Sequence, residues 1–158
     1  RSQPRTEEGL GVGLTLALQC QLRVMADDAW LGDTHTLVGR LGSAHNLYAS
    51  MPRAVAAYLT LCNGRLTAQE CLQYGLVNKV VPRDKLLAEA EGLLRKMLAN
   101  GPVSLNFTLA AVNDGLEMPL DEAQRAEATL FGLICSTGDM KEGTKAFLEK
   151  RPAKFQGK

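Results

Sequence analysis

The periodicity of the chain changes at Pro82, and that change restricts the fold more than any other feature. Before it, short apolar runs of strand length alternate with turns and brief helical patterns; after it, apolar residues recur at helical spacing to about residue 150. Leu22-Arg-Val-Met-Ala26 and Ala29-Trp-Leu31 fit short strands flanking an Asp27-Asp28 turn, and Leu76 to Val81 fits another, closed by Pro82. Arg1 to Glu8 reads as a polar leader, and Gly9 to Gly13 as a turn opening a helix from Leu14 to Cys20. The stretch from His35 to Ser50, rich in Gly, Ser, Asn and His, is predicted as a loop. Pro52 to Leu61 is predicted helical, with Ala54, Ala57, Tyr58 and Leu61 at helical spacing. Thr67-Ala-Gln-Glu70 is a capping box: the Thr hydroxyl can accept from the Glu70 amide while the Glu70 carboxylate returns to the cap amide. Its helix should stop at Gly75. Downstream, helices are predicted over 84–98, from Pro102 to about 113, over 121–135 and over 139–150. The expected organisation is a mixed α/β part over 1–82 and an all-helical part over 83–158.

Charge narrows the partners. Eighteen Lys and Arg nearly balance seventeen Asp and Glu, so no whole-protein field argues for nucleic acid or an anionic membrane. The longest apolar stretch, around Leu14 to Leu18, is far too short to span a bilayer, and no signal-peptide pattern opens the chain. A start at Arg1 without Met fits a fragment or a processed product. Cys20, Cys62, Cys71 and Cys135 show no C-x-x-C spacing and lie in apolar segments, where free thiols are expected as small buried hydrophobes. That pattern agrees with a reducing compartment, cytoplasmic or an organelle matrix.

Three features carry chemistry. Gly9-x-Gly11-x-Gly13 departs from the dinucleotide fingerprint, because Leu14 stands where that pattern has its last glycine. Such a turn can instead present backbone N–H groups at a helix start to a phosphate or an oxyanion, or can simply be a turn needing small residues. His35 and His45 lack a third ligand at useful spacing, so a metal site is not expected. With no G-x-S-x-G elbow, a serine hydrolase is not supported; His35 beside Asp33 can serve as a general base or be a solvated or structural residue. Lys145, Lys150, Arg151, Lys154 and Lys158 form a basic C-terminal cluster, solvated or suited to a nucleotide phosphate.

Gly9 to Cys20, Gly64-Arg-Leu-Thr-Ala-Gln-Glu70 with Tyr74-Gly-Leu-Val-Asn-Lys-Val-Val-Pro82, and Met140-Lys-Glu-Gly-Thr-Lys-Ala-Phe-Leu-Glu-Lys-Arg151 with its tail together resemble the enoyl-CoA hydratase/isomerase (crotonase) superfamily. The likeness runs from Gly9 onward and corresponds to about the C-terminal three-fifths of a family member. It implies an α/β fold: a partial spiral of strand-strand-helix units followed by a helical trimerisation region. It also implies an acyl-CoA or enoyl-CoA ligand with no separate cofactor, and a homotrimer or dimer of trimers.

By the same resemblance, Val12 holds the place of the glycine whose amide helps form the oxyanion hole. Thr15 and His35 hold the places of the two hydratase glutamates, and Phe131 and Lys150 those of CoA-binding residues. Thr15 cannot exchange a proton near pH 7, which leaves His35 as the candidate base. Gly42-Ser-Ala-His-Asn-Leu47 is shorter than the corresponding hydratase loop. The implied activity is that of an enoyl-CoA hydratase/isomerase-like enzyme. An inactive acyl-CoA-binding or interaction module, and a truncated fragment, are the alternatives.

Overall fold

A computed structural model describes residues 9–10, 12–42 and 44–158. The leader over 1–8, Gly11 and Ser43 lie outside the described residues. Two compact units span residues 1–91 and 92–158.

The first unit runs β1 (Gly9–Leu10), α1 (Val12–Gln19), β2 (Val24–Ala26), β3 (Trp30–Gly32), α2 (Ala44–Ser50), α3 (Arg53–Leu61), β4 (Arg65–Thr67), α4 (Ala68–Gln73) and β5 (Lys79–Val81). α5 (Leu86–Leu98) begins in this unit. β3 lies between β1, its parallel partner, and β4, its antiparallel partner; β2 and β5 form a separate parallel pair. Gly9 and Leu10 are therefore strand rather than turn. Their pairing, Gly9 with Leu31 and Leu10 with Gly32, is made with residues distant in sequence, which no local pattern contains.

Leu14, Leu47, Leu59, Leu66, Cys71 and Leu76 form the centre of the core. Two expectations change here. The stretch from His35 to Ser50 is not all loop: a 3-10 turn over Thr36–Val38 and helix α2 occupy most of it. α2 is held because Leu47, 1% exposed, is driven into the core despite polar neighbours. In α3 the buried face is Ala56, Leu59 and Thr60, whereas Tyr58 and Leu61 face outward. Thr60 can sit there because its hydroxyl donates to the Ala56 carbonyl at 2.9 Å, so its own buried polar atom is paired.

The capping box forms as expected. The Glu70 amide donates to the Thr67 hydroxyl at 3.3 Å, and the Thr67 amide donates to the Glu70 carboxylate at 2.8 Å. The Thr67 amide, and then the Thr67 hydroxyl donating to the same carboxylate oxygen at 2.7 Å, hold the Glu70 carboxyl below its usual range. Gly75 ends the segment at φ +72°, a conformation that favours glycine. The cysteines differ from expectation: Cys20 and Cys62, just past the ends of α1 and α3, and Cys135, the last residue of a later helix, are exposed, and only Cys71 is buried. Burial pushes its thiol up to about 11, with the Glu70 carboxylate adding to the effect.

In the second unit α5 ends and is followed by α6 (Pro102–Gly115), α7 (Leu120–Cys135) and α8 (Gly138–Leu148). Pro102 occupies the first turn of α6, where its missing N–H costs nothing. α8 opens on a Thr137 cap, whose hydroxyl accepts from the Met140 amide at 3.1 Å. Two acids of α8 then bind the tail. Asp139 accepts from the amides of Gln156 at 2.7 Å and Gly157 at 2.8 Å. Glu142 takes Arg151 in a two-point pair at 2.7 and 3.0 Å and the Lys154 amide at 2.9 Å. Phe155 lies against Gly143, where a Cβ would come within 3.2 Å of the ring.

Hydrogen bonds from Arg151 and then Lys154 hold the Glu142 carboxyl down at about 2. A depressed acid contributes stability that is complete above its ordinary pKa and is lost as pH falls toward its folded value. Glu142→Gln should therefore lower the thermal midpoint at pH 7, with the difference shrinking below about pH 4.5 and closing near pH 2. Melting both proteins across that range checks it. In the first unit, Thr67→Ala should cost about 1 kcal/mol in urea unfolding, the usual loss of an N-cap.

Candidate functional site

The site is built where two parallel strands end. β1 and β3 run side by side with Leu10 opposite Gly32, so the chain leaves both at the same end of the sheet. From β1 it enters α1, whose first residue is Val12 and which carries Thr15, half-buried, in its first turn. From β3 it passes through Asp33 to His35. Strands pair at about 4.8 Å, so the ends of β1 and β3 lie side by side; α1 opens two residues after Leu10, and His35 stands three residues after Gly32.

β3 is held by close packing. The Arg65 guanidinium lies 3.8 Å from the centre of the Trp30 ring. A Cβ on Gly32 would fall 2.8 Å from that ring and 3.2 Å from the Gly64 carbonyl, so only glycine fits. A Cβ on Gly13 would meet nothing within 4 Å, so no steric demand selects glycine there. Gly11 lies outside the described residues, and so does the side chain of Val12.

Asp33, 3% exposed, is among the few buried polar residues described. Its Oδ1 accepts the His35 backbone N–H at 3.0 Å and meets the His35 ring Nδ1 at 2.5 Å. The His35 side chain retains 20% exposure. Gly42 lies beside His35, where an added Cβ would come within 2.3 Å of Nδ1. The His35 carbonyl accepts the amides of Val38 at 3.2 Å and Arg40 at 2.9 Å, and Thr36 donates to the Thr60 carbonyl at 2.8 Å. The loop is thereby tied to itself and to α3. The sequence pointed to His35 with Asp33; Gly42 was missed, because its contact with the ring crosses a loop of unpredictable path.

Beside α1 lies a cavity of about 260 Å³, walled by Leu14, Leu18, Met25, Leu31, Leu76 and Arg23 among others. The Arg23 guanidinium gives Nη1 to the Leu18 carbonyl at 3.2 Å, while its buried Nε has no partner among the described residues.

The remaining two sequence candidates lie in the second unit. Phe131, 62% exposed on α7, borders a cavity of about 320 Å³ between α6 and α7 with Phe107, Leu130 and Ile134. Lys150 follows α8 at φ +53° and does not line that cavity. Of the basic tail, Arg151 is committed to Glu142 and to Glu149 at 2.7 Å, so it is not available to a phosphate. Lys150 makes no ion pair among the described residues. No described group of three His, Cys, Asp or Glu residues could hold a metal ion, and no described helix is long and apolar enough to cross a membrane.

Residues 8–158 match the sequence profile described as Enoyl-CoA hydratase/isomerase. Among similar proteins, crotonyl-CoA hydratase of Syntrophomonas wolfei is 36% identical over 94% of this chain and 58% of its own length. The 2,3-dehydroadipyl-CoA hydratase of Escherichia coli is 34% identical over 94% of this chain and 60% of its own. Among solved structures, an enoyl-CoA hydratase from Bacillus anthracis aligns at TM-score 0.90 and 32% identity, over 94% of this chain and 59% of that one. The chain thus spans about three-fifths of the length of these relatives.

The packing at β3 gives a direct check. Gly32→Ala should push the ring of Trp30, the single tryptophan, from its place, shifting its emission and costing about 1–3 kcal/mol as overpacking does. Gly13→Ala should leave the emission unchanged.

Proposed function

The chain belongs to the enoyl-CoA hydratase/isomerase family, and on that footing we propose that it binds an enoyl-CoA thioester and transfers a proton beside the thioester carbonyl. The observation that supports the reading is the register of β1 with β3, whose paired ends lead into α1 and into the His35 loop. In this reading the Val12 amide, at the start of α1, donates to the thioester oxygen as negative charge develops on it. Pre-oriented donors of this kind lower the barrier because they need no reorganisation. His35 moves the proton. Thr15 supplies a hydroxyl but no ionisable group near pH 7.

Hydration balances with this one base. His35 takes a proton from water as the hydroxyl adds to C3, and the resulting enolate takes a proton at C2 from the same ring. Phe131 and Lys150 are proposed to hold CoA, the aromatic by stacking and the ammonium as a point charge on phosphate. The ligand itself supplies the acidic α-position, so no separate cofactor is invoked. The second unit leaves Phe147 83% and Leu148 74% exposed, which supports assembly through copies of this chain as a homotrimer or dimer of trimers.

A non-catalytic acyl-CoA binder is the second reading, favoured by Thr15 standing where a carboxylate would be expected. Crotonyl-CoA separates the two. Under the catalytic reading it should raise the thermal midpoint and be hydrated, with His35→Ala lowering kcat on the order of 10²–10⁴-fold while the ligand-induced shift persists. A midpoint shift with no turnover in either protein would establish the binder instead.

A further inference from the structure

We infer that Asp33 and Gly42 are positioning residues that lock His35 in one tautomer, with the proton on Nδ1 and a bare lone pair on Nε2; the inference rests on the proposed role of His35 as the base. An ionised carboxylate only accepts, so the 2.5 Å contact with Asp33 Oδ1 requires Nδ1 to be the donor. Asp33 is 3% exposed and sits two residues from His35, so the acceptor is nearly withdrawn from water and cannot be far displaced. Nε2 has no hydrogen-bond partner among the described residues, and the side chain keeps 20% exposure.

A structural turn would not need this arrangement. The bond from the His35 backbone N–H to Asp33 at 3.0 Å already closes a side-chain-to-backbone turn, and any residue but proline at 35 can make it. The ring contact is additional, and so is its seat. A Cβ at 42 would come within 2.3, 2.6 and 2.9 Å of Nδ1, Cγ and Cβ of His35. A side chain at 42 would therefore collide with the ring near the nitrogen that Asp33 engages, and glycine leaves that space to the imidazole. With the His35 carbonyl bonded to Val38 and Arg40, the backbone under the ring is fixed too. A base held this way faces the substrate with the correct nitrogen before the substrate arrives. The Asp33 carboxylate also offsets the positive charge the ring gains when Nε2 takes a proton, the role a buried Asp plays beside a catalytic His in hydrolytic triads.

Nitrogen NMR of histidine-labelled protein, followed with crotonyl-CoA turnover, tests this. His35 of the unaltered chain should show Nδ1 protonated and Nε2 bare; a ring protonated on Nε2, or on both nitrogens across the pH range of activity, overturns the inference without any variant. Asp33→Asn offers an amide that can donate, so the proton should move to Nε2 and kcat should fall on the order of 10²–10⁴-fold while crotonyl-CoA still shifts the melting midpoint. Gly42→Ala should displace the ring from Asp33 and lower kcat in the same way. If Asp33→Asn keeps the tautomer or keeps full turnover while His35→Ala is inactive, the positioning role falls and the base assignment stands. If His35→Ala keeps full turnover, the base assignment itself fails.

Discussion

Two residues of parallel pairing govern the first unit. Gly9 opposite Leu31 and Leu10 opposite Gly32 fix where the chain leaves the sheet on both sides of the pair. A slip of one residue would break both pairings. It would also move the start of α1 relative to Asp33 and His35. The close packing around β3 resists that slip. Trp30 against Arg65, and Gly32 against Trp30 and Gly64, leave no slack in the middle strand. In the same way, a Cβ on Gly64 would come within 2.3 Å of the Tyr58 ring, tying the entry of β4 to α3. The order in which these contacts depend on one another runs from register to loop to imidazole.

Much of this was legible in the sequence where the cause was local. The capping box at Thr67 and Glu70, the stop at Gly75 and the start of α6 at Pro102 each follow from one or two residues and their neighbours. Features set by distant residues were not legible. β1 exists because of β3; α2 exists because Leu47 finds the core; and the inward face of α3 is chosen by the surface it meets, not by its own spacing. The cysteines show the same limit from the other side. An apolar run does not say where its helix stops, and Cys20, Cys62 and Cys135 each fall at or just past such an end, where the chain meets water. For the site, His35 and Asp33 were visible as a pair of letters two apart, whereas Gly42 acquires meaning only when its backbone meets the ring.

In the second unit the motif around α8 has a physical account. Asp139 and Glu142 are three apart on one helix, hence on one face. Together they receive three tail amides and both arms of Arg151. The acids, the arginine and the glycines therefore work as one set, which explains why so dense a pattern of specific residues occurs near the end of the chain. Lys150, turned to positive φ by the end of α8, is a neighbour of this set and not a member of it.

The seat of His35 also bears on how such a loop can change over generations. The ring is bonded by Asp33 and backed by Gly42, so a larger residue at 42 is tolerable only if position 35 shrinks, and a neutral residue at 33 only if the imidazole no longer needs its anchor. Under the proposed role of His35, each step taken alone would weaken the base. The three positions are expected to be inherited as a block, and lineages that trade the histidine for another group must cross that valley or alter all three together.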